Sequence, residues 1–410
     1  MRLNTFKIYT FGCKVNQYES QLIRENLLEA EFKEEDDAFY HIVNTCCVTQ
    51  HTENKVRKLI RHLRRLYPSS RIIVCGCLVE LDRNIEGADI LVSNKEKEQI
   101  HRILGLHSQR RDKITFFKNR SRAFVKVQEG CRNRCSYCVI PFTRYSIHSK
   151  PVKNVLEEVL ILESKGYKEI VICGTNLGEY GKDIGVDLIS LLDILCKNYS
   201  GRIRLSSLEP KYITDPLIHF MKEHNKICPH LHIPFQSGDD KILSLMNRGY
   251  SRQFLEDLIS KIRKNIHSIS ITTDIIVGFP QEEEQNFLNT ISLIEKIRPL
   301  KVHIFSFSPR KFTLASQLKG KVCPQVIRKR RERLEEICRR ISLEVRRNFL
   351  GEELEGIVEN KKGDYFDILT SNYLSVKVNS ASLNLKDLVR VKVRGIKEGD
   401  LFGEVVGGIQ

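Results

Sequence analysis

Apolar residues in the first hundred positions fall into short runs separated by stretches of helical spacing. Phe6-Lys7-Ile8-Tyr9-Thr10-Phe11 reads as a strand, and Leu22, Leu27 and Leu28 follow at helical intervals. His41-Ile42-Val43 is a second strand. Val56, Leu59, Ile60 and Leu63 make the apolar face of a helix whose other face carries Arg57, Arg61, Arg64 and Arg65. Arg71-Ile72-Ile73-Val74 and Ala88-Asp89-Ile90-Leu91-Val92 read as a third and a fourth strand. Strands that alternate with helices predict a parallel sheet, because each helix carries the chain back to begin the next strand on the same side.

The alternation resumes beyond a polar, basic connector at 108–122. Six further strands are expected at 123–127, 169–173, 202–207, 230–234, 270–278 and 301–307, with a helix near 155–164. Each strand runs into a polar or glycine-rich segment, the pattern of a partial β/α barrel with its chemistry at the carboxyl ends of the strands. A helix at 326–350 places Ile327, Leu334, Ile337, Ile341 and Val345 on one face and the run Arg328-Lys329-Arg330-Arg331 on the other, which reads as a solvated face. After 346 the period drops to two. Val389, Val391 and Val393 alternate with Arg390, Lys392 and Arg394, so a small β-barrel with a cationic stripe is expected, a shape that often reads nucleic acid. The fold class is therefore α/β: an amino-terminal parallel α/β sheet domain (1–110), a central partial (β/α) barrel (120–345) and a carboxy-terminal small β-barrel (346–410).

Composition narrows the function. The chain has 410 residues, more than one ordinary core holds, and 41% of them are hydrophobic. No apolar run approaches the roughly 18 residues of a membrane span and no secretory signal opens the chain, so a cytoplasmic protein without membrane attachment is expected. In that setting 13 cysteines point to metal or redox chemistry rather than disulfides. The net charge of +16 suits a polyanionic partner, though an indifferent basic surface would give the same number.

The cysteines are not scattered. Cys131-Arg132-Asn133-Arg134-Cys135-Ser136-Tyr137-Cys138 packs three soft thiolates into a CxxxCxxC spacing, which suits iron–sulfur ligation with one iron left open. A closed structural zinc site is the alternative, but no fourth Cys or His follows at finger-like spacing. Cys13, Cys46 and Cys77 each stand just past the end of a successive strand, where parallel strands share one edge. They form either a second cluster site or buried packing thiols.

The segment from Glu129-Gly130-Cys131 to Cys138-Val139-Ile140-Pro141 resembles the radical S-adenosylmethionine methylthiotransferases. Gly12-Cys13-Lys14-Val15-Asn16-Gln17-Tyr18-Glu19, Asn44-Thr45-Cys46 and Gly76-Cys77 resemble that family's amino-terminal cluster motifs. Further likeness lies in Ser206-Ser207-Leu208-Glu209-Pro210, Leu231-His232-Ile233-Pro234-Phe235-Gln236-Ser237-Gly238, Met246-Asn247-Arg248-Gly249-Tyr250 and Thr273-Asp274-Ile275-Ile276-Val277-Gly278-Phe279-Pro280. The last domain resembles the TRAM domain that delivers RNA to modification enzymes.

The resemblance implies two 4Fe-4S clusters, on Cys13, Cys46 and Cys77 and on Cys131, Cys135 and Cys138, together with S-adenosyl-L-methionine. Cys47 and Cys75 are then packing residues. Tyr137, Gly174, Thr175, Glu209, Gln236 and Arg248 are the candidate contacts of the cofactor or substrate, and no catalytic side chain beyond the cluster ligands is assigned. His230, His232 and His303 read as core or barrel-lining residues.

The implied reaction cleaves the cofactor to a 5′-deoxyadenosyl radical, removes hydrogen from an unactivated C–H bond and installs a thiomethyl group there. The first motif, Gly12-Cys13-Lys14-Val15-Asn16-Gln17-Tyr18-Glu19, resembles that of the branch acting on N6-threonylcarbamoyladenosine beside the anticodon of tRNA. Implied partners are the tRNA anticodon stem-loop, a reductant such as flavodoxin or ferredoxin, and a sulfur donor, with a monomeric enzyme expected. The competing readings are the N6-isopentenyladenosine branch and a non-enzymatic iron–sulfur protein that binds RNA or senses redox state. The family pattern breaks at Gln281 and Phe312, where glycine is usual, and at Tyr145 and His148, often glycine and arginine.

Overall fold

The computed structural model describes residues 3–106 and 112–408, so part of the expected connector lies outside the described residues. Strands β1 (Thr5–Thr10), β2 (Lys33–Glu34), β3 (Tyr40–Thr45), β4 (Arg71–Gly76) and β5 (Ile90–Val92) make a parallel sheet in the order β2-β1-β3-β4-β5. With two residues, β2 is too short for periodicity to reveal. The sheet is buried on both faces, with Phe6, Ile42, Ile73 and Cys75 in one core and Val43, Cys47, Val74 and Cys77 in the other.

In the centre β6 (Ala123–Glu129), β7 (His148–Ser149), β8 (Glu169–Gly174) and β9 (Arg202–Leu205) are ordered β7-β6-β8-β9, and β10 (His230–His232), β11 (Ser270–Val277) and β12 (Lys301–Ser306) follow in order. Isolated parallel bridges Ile203↔Ile227 and Ser207↔His232 join the two sheets. Six parallel strands thus curve as a partial barrel, and β7 is a short antiparallel addition at its edge.

The amino-terminal sheet spans the open seam between β6 and β12. Helix Lys14–Glu29 buries Val15, Tyr18 and Leu22 in the central core, each contributing about 1.5–3 kcal/mol. On the far side, Ser308 and Arg310 follow β12 and meet helix Gln50–Leu66. Gln50 N donates to Ser308 Oγ at 2.9 Å, and Arg310 donates to Gln50 Oε1 at 3.0 Å and Glu53 Oε2 at 2.5 Å.

Helix Pro324–Arg347 buries Leu334 and Ile341 and starts at a proline, whose missing N–H costs nothing in a first turn. It leads to β13 (Glu353–Lys362), β14 (Tyr365–Thr370), β15 (Ser375–Asn379), β16 (Leu388–Lys397) and β17 (Asp400–Gly408), a closed barrel in the order β13-β14-β15-β17-β16. Val389, Val391 and Val393 fill its interior and Arg390 and Arg394 are exposed, as the alternation predicts. Arg394 pairs with Glu404, and Lys392 with Glu353 at 3.3 Å, so part of the cationic stripe is neutralised within the barrel. This barrel abuts the starting ends of β8, β9 and β10, where His230 stacks on Tyr373 with ring centroids 4.0 Å apart. Among the described residues no helix is long and apolar enough to cross a membrane.

Candidate active site: two cysteine trios and one cavity

Cys13, Cys46 and Cys77 follow β1, β3 and β4, three adjacent strands, and so share one sheet edge. Two glycines allow this approach. Gly12 (φ +104°) lies so near Cys46 that a Cβ on it would stand 2.8 Å from Cys46 Cβ and 3.1 Å from its Sγ. A Cβ on Gly76 (φ +94°) would meet Thr45 O at 2.5 Å.

Asn44 and Asn16 brace the loops. Asn44 Nδ2 donates to Asn16 O at 3.0 Å, and Asn16 Nδ2 donates to Thr45 O at 2.9 Å and Phe11 O at 2.8 Å. Burial pushes the Cys46 thiol up to about 12, with Cys77 and Cys13 adding to the rise. Cys77 is held below the ordinary thiol range, chiefly by the S–H of Cys47 and then by the Arg144 guanidinium, against the opposing effect of burial. Cys47 therefore stands as a donor toward Cys77, while Cys75 lies in the opposite core.

Arg144 is the residue that sequence reasoning missed. It is 3% exposed and donates to Asn16 Oδ1 at 2.6 Å, Glu19 Oε1 and Oε2 at 2.8 Å and Glu129 Oε1 at 2.7 Å. A lone arginine four residues before a two-residue strand carries no local signal of burial.

The second trio sits in the loop after β6. Asn176 Nδ2 donates to Cys131 Sγ at 3.4 Å and Arg248 Nη1 to Cys135 Sγ at 3.2 Å. Burial pushes Cys138 up to about 12, with Cys135 and Cys131 adding to it. Asn176 is a second residue the motif reading passed over.

Both trios fit an iron–sulfur cluster by the chemistry of their donors. Each trio gathers three thiols at one place, the kind of donor that gives up its protons to a soft metal centre, and N–H groups already point at two sulfurs of the second trio. Neither trio meets the tight spacing of a single-ion site. Among the described residues only His232, Asp274 and His303 do.

The six candidate contacts are found around this loop. Glu209 and Arg248 pair with each other, at 2.5 Å and 3.1 Å, and Arg248 also lies 3.3 Å from the Tyr137 hydroxyl. Burial raises Tyr137 well above the ordinary phenol range, so it stays neutral. Gly174 packs against Gln128, where a Cβ would come within 2.9 Å of Oε1. The hydroxyls of Thr175 and Ser206 and Asn176 Oδ1 are buried without a hydrogen-bond partner among the described residues. Orphaned polar atoms at the ends of β8 and β9 fit the polar end of a bound S-adenosylmethionine. Gln236, in left-handed backbone (φ +71°), lines a cavity of about 180 Å³ with Tyr137, Cys138, Asp274 and Phe305. Val48 and Thr49, just beyond Cys46, line the same cavity from the amino-terminal sheet.

The breaks in the family pattern acquire a physical reading. Gln281 (φ +67°) and Phe312 (φ +70°) both occupy left-handed backbone, the conformation glycine adopts without strain.

Residues 125–294 match the Radical SAM superfamily and residues 5–101 the uncharacterized protein family UPF0004. The chain is 38% identical to the threonylcarbamoyladenosine tRNA methylthiotransferase MtaB of Thermotoga maritima, over 87% of each chain. It is 37% identical to MtaB of Chlamydia pneumoniae over 98% of each. It is 33% identical to the tRNA-2-methylthio-N(6)-dimethylallyladenosine synthase of Acetivibrio thermocellus, over 97% of this chain and 90% of that one. In fold it is similar to the radical S-adenosylmethionine methyltransferase TsrM of Kitasatospora setae, with a TM-score of 0.58 and 13% identity over 77% of each chain. The motifs, the β/α architecture and the full-length likeness converge: the chain belongs to the radical S-adenosylmethionine methylthiotransferase family.

Proposed function

We propose that the chain is a tRNA methylthiotransferase that converts N6-threonylcarbamoyladenosine, next to the anticodon, to its 2-methylthio derivative. The observation that carries this reading is the cavity that touches both the segment after Cys46 and the loop of Cys131, Cys135 and Cys138. Relatives over nearly the whole chain bear that activity in their names. When bound, S-adenosylmethionine and two 4Fe-4S clusters supply the one-electron cleavage of an unactivated C–H bond and the sulfur and methyl that replace the hydrogen, chemistry beyond side-chain acids and bases.

The chain's residues hold and tune. Cys131, Cys135 and Cys138 would hold one cluster, with Asn176 and Arg248 donating to its thiolates, and Cys13, Cys46 and Cys77 would hold the other. The unpartnered hydroxyls of Thr175 and Ser206 offer hydrogen bonds to the cofactor, and the Glu209–Arg248 pair keeps Arg248 against Cys135. In this reading the enzyme is a cytoplasmic monomer served by a reductant such as flavodoxin or ferredoxin and by a sulfur donor. The carboxy-terminal barrel, a TRAM domain in this reading, gives tRNA its exposed Arg390.

Nucleoside mass spectrometry of tRNA from a deletion strain tests the substrate. The 2-methylthio-N6-threonylcarbamoyl nucleoside should disappear, whereas loss of the 2-methylthio-N6-isopentenyl nucleoside would refute the branch. Anaerobic protein should carry about eight irons per chain rather than about four. Cys131→Ala should abolish cofactor cleavage, while Cys46→Ala should retain cleavage and end thiomethylation. Equal loss of cleavage in both would contradict separate roles.

A further inference from the structure

β10, β11 and β12 run parallel, with Thr272 in register with His232 and His303 in register with Asp274. Residues in register point the same way and side chains alternate along each strand, so Asp274 and Ile276 share a face with His303 and Phe305. That face is the lumen, because Asp274, Ile276 and Phe305 line the cavity. The polar atoms of His232, Asp274 and His303 lie within 4.8 Å of one another, and His232 Nε2 stands 3.2 Å from Asp274 Oδ2.

The hydroxyl of Thr272 sets the protons. It lies 2.9 Å from His232 Nδ1 and 3.0 Å from His230 Nε2, and it has one proton to give. With His232 Nε2–H donating to Asp274, Thr272 donates to His232 Nδ1 and accepts from His230. Both nitrogens of His232 are then engaged within the protein, so a metal ion at Nε2 would have to displace its hydrogen bond to Asp274. The trio is a hydrogen-bonding wall.

His303 is different. Among the described residues neither of its ring nitrogens has a hydrogen-bond partner, and burial lowers its pKa, so it stays a neutral imidazole with one N–H to offer. Lys14 is the first residue of helix Lys14–Glu29, directly after Cys13 at the edge of the amino-terminal sheet. Its charge acts on His230, His303 and Cys173, and no carboxylate among the described residues pairs with it.

Resting on the substrate reading above, we propose that His303, Lys14 and Asp274 form a subsite for the amino-acid end of the substituent on the target adenine. His303 and Lys14 donate to its carboxylate. Asp274, oriented by His232, accepts from its hydroxyl or amide N–H. An apolar substituent would leave all three groups desolvated and unpaired, which is how a polar site rejects an analogue that lacks its hydrogen-bonding groups.

The test uses cluster-loaded protein without reductant, so that binding is read without turnover. Fluorescence anisotropy would compare anticodon stem-loops carrying N6-threonylcarbamoyladenosine, its carboxylate methyl ester, N6-isopentenyladenosine or plain adenosine. Wild type should favour the free carboxylate over the ester by at least about tenfold. His303→Phe and Lys14→Gln should each bring that ratio within about threefold while keeping iron content and affinity for the plain loop. A wild type indifferent to esterification, or variants that keep the whole ratio, would overturn the subsite and leave the substrate reading standing. A wild type that prefers the isopentenyl loop would remove the substrate reading, and the subsite with it.

Discussion

Two interfaces hold the central barrel to its neighbours, and both are built on one buried carboxylate ringed by three cations. Toward the amino-terminal sheet, Glu19 receives Arg144 at 2.8 Å, Lys126 at 2.9 Å and Lys97 at 2.5 Å. Toward the carboxy-terminal barrel, Glu169 receives Arg204 at 2.7 Å and Arg122 at 3.3 Å, with Arg202 Nε at 2.9 Å. The cations hold both carboxylates below the ordinary range, against the opposing effect of burial.

The difference lies in where the surplus positive charge goes. Around Glu169 it goes largely into the main chain. Arg202 donates to Leu369 O at 3.1 Å, and Arg204 donates to Ser371 O at 2.9 Å and Thr370 O at 3.1 Å. Around Glu19 it goes to Glu129 and, through Arg144, to the Cys77 thiol. One cage fixes geometry. The other fixes geometry and sets the charge beside Cys77, one of the proposed cluster ligands.

The largest expected effect breaks both cages alike. Glu19→Gln and Glu169→Gln each leave buried cations uncompensated and should lower stability by about 3–5 kcal/mol in denaturant titrations. Only Glu19→Gln should also lower the iron bound per chain, and equal iron loss in both would erase the distinction.

Next comes the pair Arg144→Met and Arg204→Met, each expected to cost about 1.5–3 kcal/mol. Arg144→Met removes positive charge near Cys77 and should make the reduction potential of the cluster proposed for Cys13, Cys46 and Cys77 more negative in an EPR-monitored titration. Arg204→Met should leave that potential unchanged.

The smallest effect concerns acid. A carboxylate whose folded pKa is lowered contributes stability that is fully present above its unfolded value, about 4.3, and is lost as pH falls through the folded value. The stability difference between wild type and either Gln variant should therefore stay constant from about pH 8 to pH 5 and shrink only below about pH 4. A difference that shrank between pH 7 and 5 would mean the carboxylates are not held ionised.

In the carboxy-terminal barrel the alternation marked only β16, whereas the strands of the amino-terminal sheet and the central barrel were legible because burial writes period two, or continuous apolar runs, into the chain. The two-residue β2 and β7 were not, since two residues have no period. The cysteine trios were visible because cluster chemistry needs that residue type at short spacing or at successive strand ends. Arg144, Asn176 and the meeting of His232, Asp274 and His303 were invisible, because each depends on contacts between distant segments. His303 and Asp274 are ordinary residues of two strands until register sets them side by side. Glu209 and Arg248 were visible as candidates, but their pairing with each other was not.

The seam between β6 and β12 has a consequence for how this protein works as one object. One wall of the reaction chamber is borrowed from another part of the chain, so enclosure exists only while helix Lys14–Glu29 and helix Gln50–Leu66 are docked against the two barrel edges. The central barrel from β6 to β12 alone would be a trough with one side open to water. Shielding a reactive centre from solvent is here a matter of assembly, secured before any small molecule arrives.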